Sequence, residues 1–191
     1  AEAGVTISQL WQHVLPHGRW PPVVPGTSAV TLGGAVAMNI HGKHAFRVGP
    51  IGEHVEALRL LGVDGSVRAL SVTVSRQTPP LHDVIGAQGL NGTILDVTLR
   101  LKRVHGGFLD VHPLSTRDAA FHFLLDYVPD WKNVCRPHGL VQYQFFIPKA
   151  VARAVLGEAL ARQQRAGIVA LAVLKRHRPD AFASQYAVDG F

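Results

Sequence analysis

One stretch of twenty residues, PGTSAVTLGGAVAMNIHGKH at 25–44, limits the possible folds of this chain more than any other. It contains four glycines, many alanine and hydroxyl side chains, and a single lysine. A short helix is predicted over 31–38, and Gly33-Gly34 removes side chains where that helix begins. We therefore predict exposed backbone N–H groups that bind an anion. The alternative is a tightly packed turn between a helix and a sheet. Three hydroxyl groups add donors: Thr27, Ser28 and Thr31.

A second glycine-rich segment, GAQGLNG, occupies 86–92 and leads into a predicted strand. A glycine in the position of Gly92 commonly marks a β-bulge. The missing side chain would equally allow a planar ring to lie against the backbone. Both interpretations remain open at this point.

Local signals predict further elements in the first half. Thr6 and Gln9 have the spacing of a capping box, which predicts a helix that ends before Pro16 and Gly18. Asp64-Gly65 indicates a tight turn between two strands. The remaining predictions are strands over 55–61, 67–72 and 93–104, and a short helix from 79 to 85.

The pattern changes near 104–107, where we predict a domain boundary that separates residues 1–104 from residues 105–191. Strands and helices alternate beyond it, which indicates the α+β class. The predicted strands are 108–112, 140–147 and 168–174, and the predicted helices are 115–127 and 148–166, the second ended by Gly167.

Composition narrows the functional classes. Hydrophobic residues make up 47% and charged residues 17% of the chain, which is typical of a globular protein. No apolar run is long enough to span a bilayer and the N-terminus shows no signal-peptide pattern, so we expect a cytoplasmic protein, or one peripheral to the membrane or cell envelope. The net charge of +6 favours anionic partners, but the basic residues are scattered, which argues against nucleic acid.

Three common site types do not fit the sequence. Gly42-Lys43 lacks the first glycine and the hydroxyl residue of a nucleotide P-loop. The G-x-G-x-x-G dinucleotide fingerprint does not occur. His41 and His44 are three residues apart, but Gly42 disfavours a helix between them and no carboxylate pair lies nearby, so we expect no metal site.

Three segments together resemble the FAD-binding domain of the vanillyl-alcohol oxidase / p-cresol methylhydroxylase (PCMH-type) superfamily. They are PGTSAVTLGGAVAMNIHGKH, GEHVEALRLLGVDGSVRALS and IGAQGLNGTILDVTLRLKRV. Within that superfamily the chain is most similar to the FAD-linked oxidoreductases that resemble decaprenylphosphoryl-ribose oxidase. HGLVQYQFFIP and LAVLKRH look like strands of the family's substrate domain. The resemblance covers most of the chain, and it rests on the spacing of all three glycine segments.

The resemblance implies an FAD-binding domain at 1–104 and a substrate (cap) domain at 105–191, with FAD as the cofactor. The expected cofactor-binding residues, five of which also belong to the glycine and hydroxyl patterns above, are Gly26, Thr27, Thr31, Leu32, Gly33, Gly34, Met38, Asn39, Ile40, His41, Gly92 and Ile94. The expected catalytic residues are His41, Gln144 and Lys175. The expected substrate-binding residues are Gln142, Gln144 and Lys175, because the alternation of the predicted strand places both glutamines on one face.

The chain departs from the family in length. The family's FAD domain begins with an earlier glycine-rich loop and its substrate domain is longer, so both domains are expected to be incomplete, with segments omitted between 104 and 131. The expected function is oxidation of a secondary alcohol of a sugar, alditol or sugar-phosphate-lipid, with the electron acceptor unspecified. The alternatives are an FAD-linked reductase of an isoprenoid or sterol double bond, and a truncated, non-catalytic binding fragment.

Overall fold

The computed structural model describes residues 1–74, 79–105, 144–167, 173–183 and 189–190. The α-helices in these residues are α1 Ile7–Val14, α2 Leu32–Ala37, α3 Ala45–Val48, α4 Leu81–Val84 and α5 Ala152–Ala166. The strands are β1 Arg19–Trp20, β2 Val55–Leu61, β3 Val67–Ser71, β4 Thr93–Leu99 and β5 Lys102–Arg103. Two short 3₁₀ helices are Leu15–His17 and Ile51–His54.

Helix α1 begins at the predicted capping box. The Thr6 hydroxyl accepts a hydrogen bond from the Gln9 N–H at 3.1 Å, and Gln9 Oε1 accepts one from the Thr6 N–H at 2.9 Å. Two donors at the start of the helix are thereby satisfied. After α1 and one 3₁₀ turn, Gly18 adopts a φ of 64°. The predicted helix and its end are both confirmed.

The main sheet is antiparallel, with strand order β3-β2-β4. The β2–β3 turn is held by Asp64, whose Oδ1 accepts the Ser66 N–H at 3.0 Å, and Gly65 adopts a φ of 77°. The predicted strand over 93–104 is wrong in its extent. The Arg100 N–H donates to the His54 carbonyl, and the next strand, β5, pairs with β1 in a separate two-stranded sheet.

A single apolar cluster joins the sheet to helices α1, α2 and α4. Leu32 and Val36 of α2 are fully buried in it, which fixes the start of that helix beside β4. Burial of such side chains is the main stabilising term for a short helix, which is marginal in isolation. Other buried members are Ile7, Leu10, Ile51, Leu58, Leu60, Leu70, Val84, Ile85 and Val97.

The second half agrees with the sequence in one element and differs in two. Helix α5 ends at Gly167, which has a φ of 66°, as predicted, although the helix begins at Ala152 rather than at Pro148. Residues 144–147 and 173–174 are not strands, so the strand predictions are wrong there. Their other residues, and the elements predicted over 108–112 and 115–127, lie outside the described residues.

The mixture of helices and antiparallel strands agrees with the predicted α+β class. The domain boundary near 104–107 and the incomplete cap domain remain predictions. Among the described residues, no helix combines the length and the apolar character that a bilayer-spanning segment requires.

Candidate active site

A cavity of about 390 Å³ opens between the start of α2 and the loop that precedes β4. Its lining is made mostly of small residues, so a bound molecule would contact backbone rather than long side chains. The lining residues are Ala3, Gly4, Thr31, Gly33, Gly34, Ala37, Val84, Gly89, Asn91, Gly92, Thr93 and Ile94. The two glycine-rich segments of the sequence therefore meet at one site.

The backbone N–H groups at the start of α2 are engaged within the protein. The Leu32 N–H donates to the Val5 carbonyl at 2.7 Å and the Gly33 N–H donates to the Ala3 carbonyl at 2.8 Å. The Gly34 N–H donates to the Thr31 hydroxyl at 3.3 Å. The prediction of exposed N–H groups here is wrong, because the N-terminal segment runs alongside the helix start and supplies acceptors.

Two of the cavity glycines are required by close packing. A Cβ on Gly33 would lie 2.7 Å from the Cβ of Ala3, so the tightly packed alternative describes this residue correctly. Gly92 has a φ of 136°, and a Cβ on it would overlap the Leu61 carbonyl oxygen. Gly89 also has a positive φ, of 82°, but it has open space around it. Close packing therefore explains why positions 33 and 92 are glycine, whereas the space next to Gly89 is open.

The structure separates the predicted cofactor-binding residues into two groups. Those that line the cavity are Thr31, Gly33, Gly34, Gly92 and Ile94. Those that lie elsewhere are Gly26, Thr27, Leu32, Met38, Asn39, Ile40 and His41. In the second group, Leu32 belongs to the apolar core, Met38 is exposed, and the Thr27 hydroxyl accepts the Ala29 N–H at 3.4 Å. The contacts of all these residues with a cofactor remain predictions.

Asn39 connects the end of α2 to the following loop. It is fully buried and adopts a φ of 44°, a conformation that asparagine tolerates better than most residues. Its Oδ1 accepts the Gly52 N–H at 3.0 Å, and the neighbouring Ile40 carbonyl accepts the Ile51 N–H at 2.9 Å. In the described part of the chain, the Asn39 Nδ2 has no hydrogen-bond partner. Asn39 therefore fixes the backbone immediately before His41.

We expect Asn39→Ala to lower the free energy of unfolding by about 2–3 kcal/mol, because the buried Gly52 N–H loses its acceptor and alanine disfavours the positive φ. Urea denaturation followed by circular dichroism measures this change. Gln164→Ala, at an exposed position of α5, is the matched amide control, expected to change stability by less than about 0.5 kcal/mol. An Asn39→Ala variant as stable as the wild type would contradict the assigned role.

A second cluster forms where residues 173–183 meet the first half of the chain. The rings of His41 and His177 lie edge to face, with centroids 4.5 Å apart and planes at 88°. His177 is 6% exposed and His41 is half-buried. Arg178 forms an ion pair with Glu53 at 2.6 Å, and the Ala183 N–H donates to the Ile85 carbonyl at 3.3 Å. These contacts hold His177 against His41.

The cluster is electropositive. Burial, followed by the charges of Lys175 and His177, lowers the pKa of His41 to about 3. Burial and the Lys175 charge lower the pKa of His177, while Asp180 raises it. Burial and the charge of Lys43 lower the pKa of Lys175. His41 is therefore neutral at physiological pH. In the described residues, no group of three or more His, Cys, Asp or Glu side chains can hold a metal ion.

The predicted catalytic residues are only partly brought together. Lys175 is close enough to His41 and His177 to affect the pKa of both, although it does not end a strand. Gln144 is exposed in a non-strand segment, so the face it was predicted to share is not formed there. Gln142 lies outside the described residues. The catalytic and substrate-binding roles of all these residues remain predictions.

Some site residues were not predicted. Ala3, Gly4 and Asn91 line the cavity. The sequence gave a signal only for Asn91, which lies within the glycine-rich segment 86–92. His177 follows Lys175 by two residues in the sequence LKRH, so its proximity to a predicted site residue was a usable signal. That His177 contacts His41 has no local signal, because the contact depends on tertiary docking.

Comparison with known proteins gives a consistent picture for the first part of the chain. Residues 1–71 match the family model described as FAD binding domain. Decaprenylphosphoryl-beta-D-ribose oxidase of Mycolicibacterium smegmatis is 41% identical over 125 residues, 63% of this chain and 27% of that protein. D-lactate dehydrogenase of Archaeoglobus fulgidus is 32% identical over 102 residues, 52% of this chain and 23% of that protein.

A third relative extends the range of organisms. D-lactate dehydrogenase [cytochrome], mitochondrial, of Arabidopsis thaliana is 28% identical over 107 residues, 54% of this chain and 18% of that protein. The chain thus spans about a quarter or less of the length of each of these relatives.

Proposed function

Since residues 1–71 belong to the FAD-binding domain family, we propose that this chain is part of an FAD-dependent oxidoreductase that oxidises a secondary alcohol of a sugar, alditol or sugar-phosphate-lipid. The observation that carries the proposal is the meeting of the two glycine-rich segments at one cavity lined by small residues. The similarity to an oxidase named for a ribose derivative supports the substrate class.

The cavity fits part of a flat, extended cofactor. Its volume of about 390 Å³ lies within the usual range of small-molecule sites. Space next to Gly89 and Gly4 is open, since a Cβ on either would meet no atom closer than 3.9 Å. Residues that would hold FAD here are Thr31, Gly33, Gly34, Gly92 and Ile94. The N–H groups of Gly33, Gly34, Leu90 and Gly92 already have acceptors within the protein. The Thr31 hydroxyl is therefore the donor that would contact FAD here.

When bound, FAD supplies the acceptor for the hydride that leaves the alcohol carbon. The residues of the chain remove the proton of the substrate hydroxyl group. A neutral imidazole can take the hydroxyl proton as the C–H bond breaks, and His41 is held neutral by burial and by the charges of Lys175 and His177. Lys175 provides a positive charge that would orient a phosphate or a hydroxyl group of the substrate. Gln142 and Gln144 are proposed to contact sugar hydroxyls.

The experiment uses the visible spectrum of the purified protein, because FAD gives the protein a yellow colour that is lost on reduction. Protein with FAD bound is mixed without oxygen with one substrate at a time: a pentose, an alditol, a sugar-phosphate-lipid or D-lactate. Bleaching by the pentose, the alditol or the sugar-phosphate-lipid supports the proposal. Bleaching by D-lactate alone supports a 2-hydroxy-acid dehydrogenase instead, a function favoured by the similarity to two D-lactate dehydrogenases.

The two remaining alternatives give different results in the same assay. A reductase of an isoprenoid or sterol double bond would retain FAD but show no bleaching with any of the alcohols. A non-catalytic binding fragment would take up no FAD at all. Either result would contradict the proposed oxidation of an alcohol.

A further inference from the structure

The contact between His41 and His177 links the two halves of the chain at the proposed proton acceptor. The centroids of the two rings are 4.5 Å apart, and their edge-to-face arrangement is a favourable geometry for aromatic rings. We propose that His177 is a positioning residue for His41: its buried ring orients the His41 ring and competes with it for the first proton that the pair takes up. This inference rests on the proposed function, in which His41 accepts the substrate proton.

His177 is itself held firmly, which a positioning residue requires. Its N–H donates to the Gly190 carbonyl at 2.8 Å, and its carbonyl accepts the Gly190 N–H at 3.4 Å. The Arg176 guanidinium donates to the same Gly190 carbonyl at 2.8 Å and also contacts the His177 carbonyl. The centroid of the Phe146 ring lies 6.1 Å from that of the His177 ring. The backbone and the ring of His177 are therefore both restrained.

The charges around the pair limit its total protonation. Lys175 acts on both rings, and Arg176 and Asp180 act on His177 with opposite signs. Lys43 acts on Lys175. Two imidazolium rings at this separation would repel each other strongly, so the second proton is taken up at a far lower pH than the first. In the described residues, the Asp180 carboxylate acts on His177 and favours the protonated form of that ring, against the opposing effects of burial, Lys175 and Arg176.

This arrangement separates the protonation of the two histidines. When the pH falls, the first proton enters the pair at His177, and the charge of that ring then keeps protons away from His41. The His41 ring thus stays unprotonated over a wide pH range. Without His177, burial and the Lys175 charge would remain as the two effects that lower the pKa of His41.

The test is a histidine-selective NMR titration of the wild type and of His177→Phe, which keeps a ring of similar size but cannot be protonated. We expect the pKa of His41 to rise by about one unit in His177→Phe, because the second positive charge is gone. The control is His17→Phe, which removes one ring of an exposed histidine pair with centroids 6.0 Å apart. It should leave the His41 titration unchanged.

A second readout is the pH dependence of flavin reduction. The acid limb of the rate is expected to move upward by the same amount in His177→Phe, which a purely structural role of the ring would not produce. If that variant does not fold, His177→Gln replaces it. An unchanged His41 titration in a folded variant overturns the inference. The titration does not require FAD or a substrate, so it decides this inference even if the proposed function fails.

Discussion

Gly92→Ala is expected to abolish FAD retention and to lower the free energy of unfolding by about 3–5 kcal/mol. Alanine at a φ of 136° is strongly strained, and its Cβ would overlap the Leu61 carbonyl oxygen of the neighbouring strand β2. The strand β4 begins at the next residue, so any shift that relieves the overlap displaces the cavity wall formed by Gly92, Thr93 and Ile94. Chemical denaturation and the flavin absorbance after desalting measure the two effects.

Gly4→Ala is the matched control, because Gly4 lines the same cavity and a Cβ on it would meet no atom within 4 Å. Its free energy of unfolding should change by less than about 0.5 kcal/mol. If Gly92→Ala keeps both its stability and its flavin, the close approach of these two backbone segments is not needed for the site.

His41→Gln is expected to slow flavin reduction by about 100-fold while FAD stays bound, because glutamine cannot take the substrate proton. In the wild type, titration of His41 should not change the rate of flavin reduction between pH values of about 5 and 8, because the His41 pKa of about 3 lies well below that range. Stopped-flow absorbance without oxygen measures the rate, using the substrate that bleaches the wild type.

The control is His13→Gln, a change at an exposed histidine of α1. The flavin of this variant should be reduced at the wild-type rate. A His41→Gln variant that binds flavin and reduces at the full rate would exclude His41 as the proton acceptor. Loss of flavin from the variant would instead assign His41 to cofactor binding, the other role that the sequence suggested, and would contradict the expected separation of the two functions.

Elements specified by neighbouring residues were predictable from the sequence. The capping box of Thr6 and Gln9 and the positive φ of Gly167 each satisfy helix ends through local contacts, and both are found in the structure. The Asp64-Gly65 turn is equally local. The resemblance of the glycine segments to an FAD-binding domain was likewise confirmed for residues 1–71.

Features that depend on tertiary contacts were not predictable. The N–H groups at the start of α2 are satisfied by the Ala3 and Val5 carbonyls, which the chain brings there only after folding. The end of β4 at Leu99 depends on β5 finding its partner in β1. Strand propensity in 144–147 and 173–174 did not produce strands, because propensity is a weak signal compared with tertiary packing.

The docking of residues 173–183 forms the histidine pair, whereas the cavity is formed by other parts of the chain. Every residue that lines the cavity lies between Ala3 and Ile94, whereas the histidine pair exists only when His177 is held in place by contacts such as Arg178 with Glu53. The cavity and the histidine pair therefore depend on different parts of the chain. A protein cut after residue 105 would keep every cavity residue and His41, but it would lose the His177 ring that contacts His41 and the nearby Lys175.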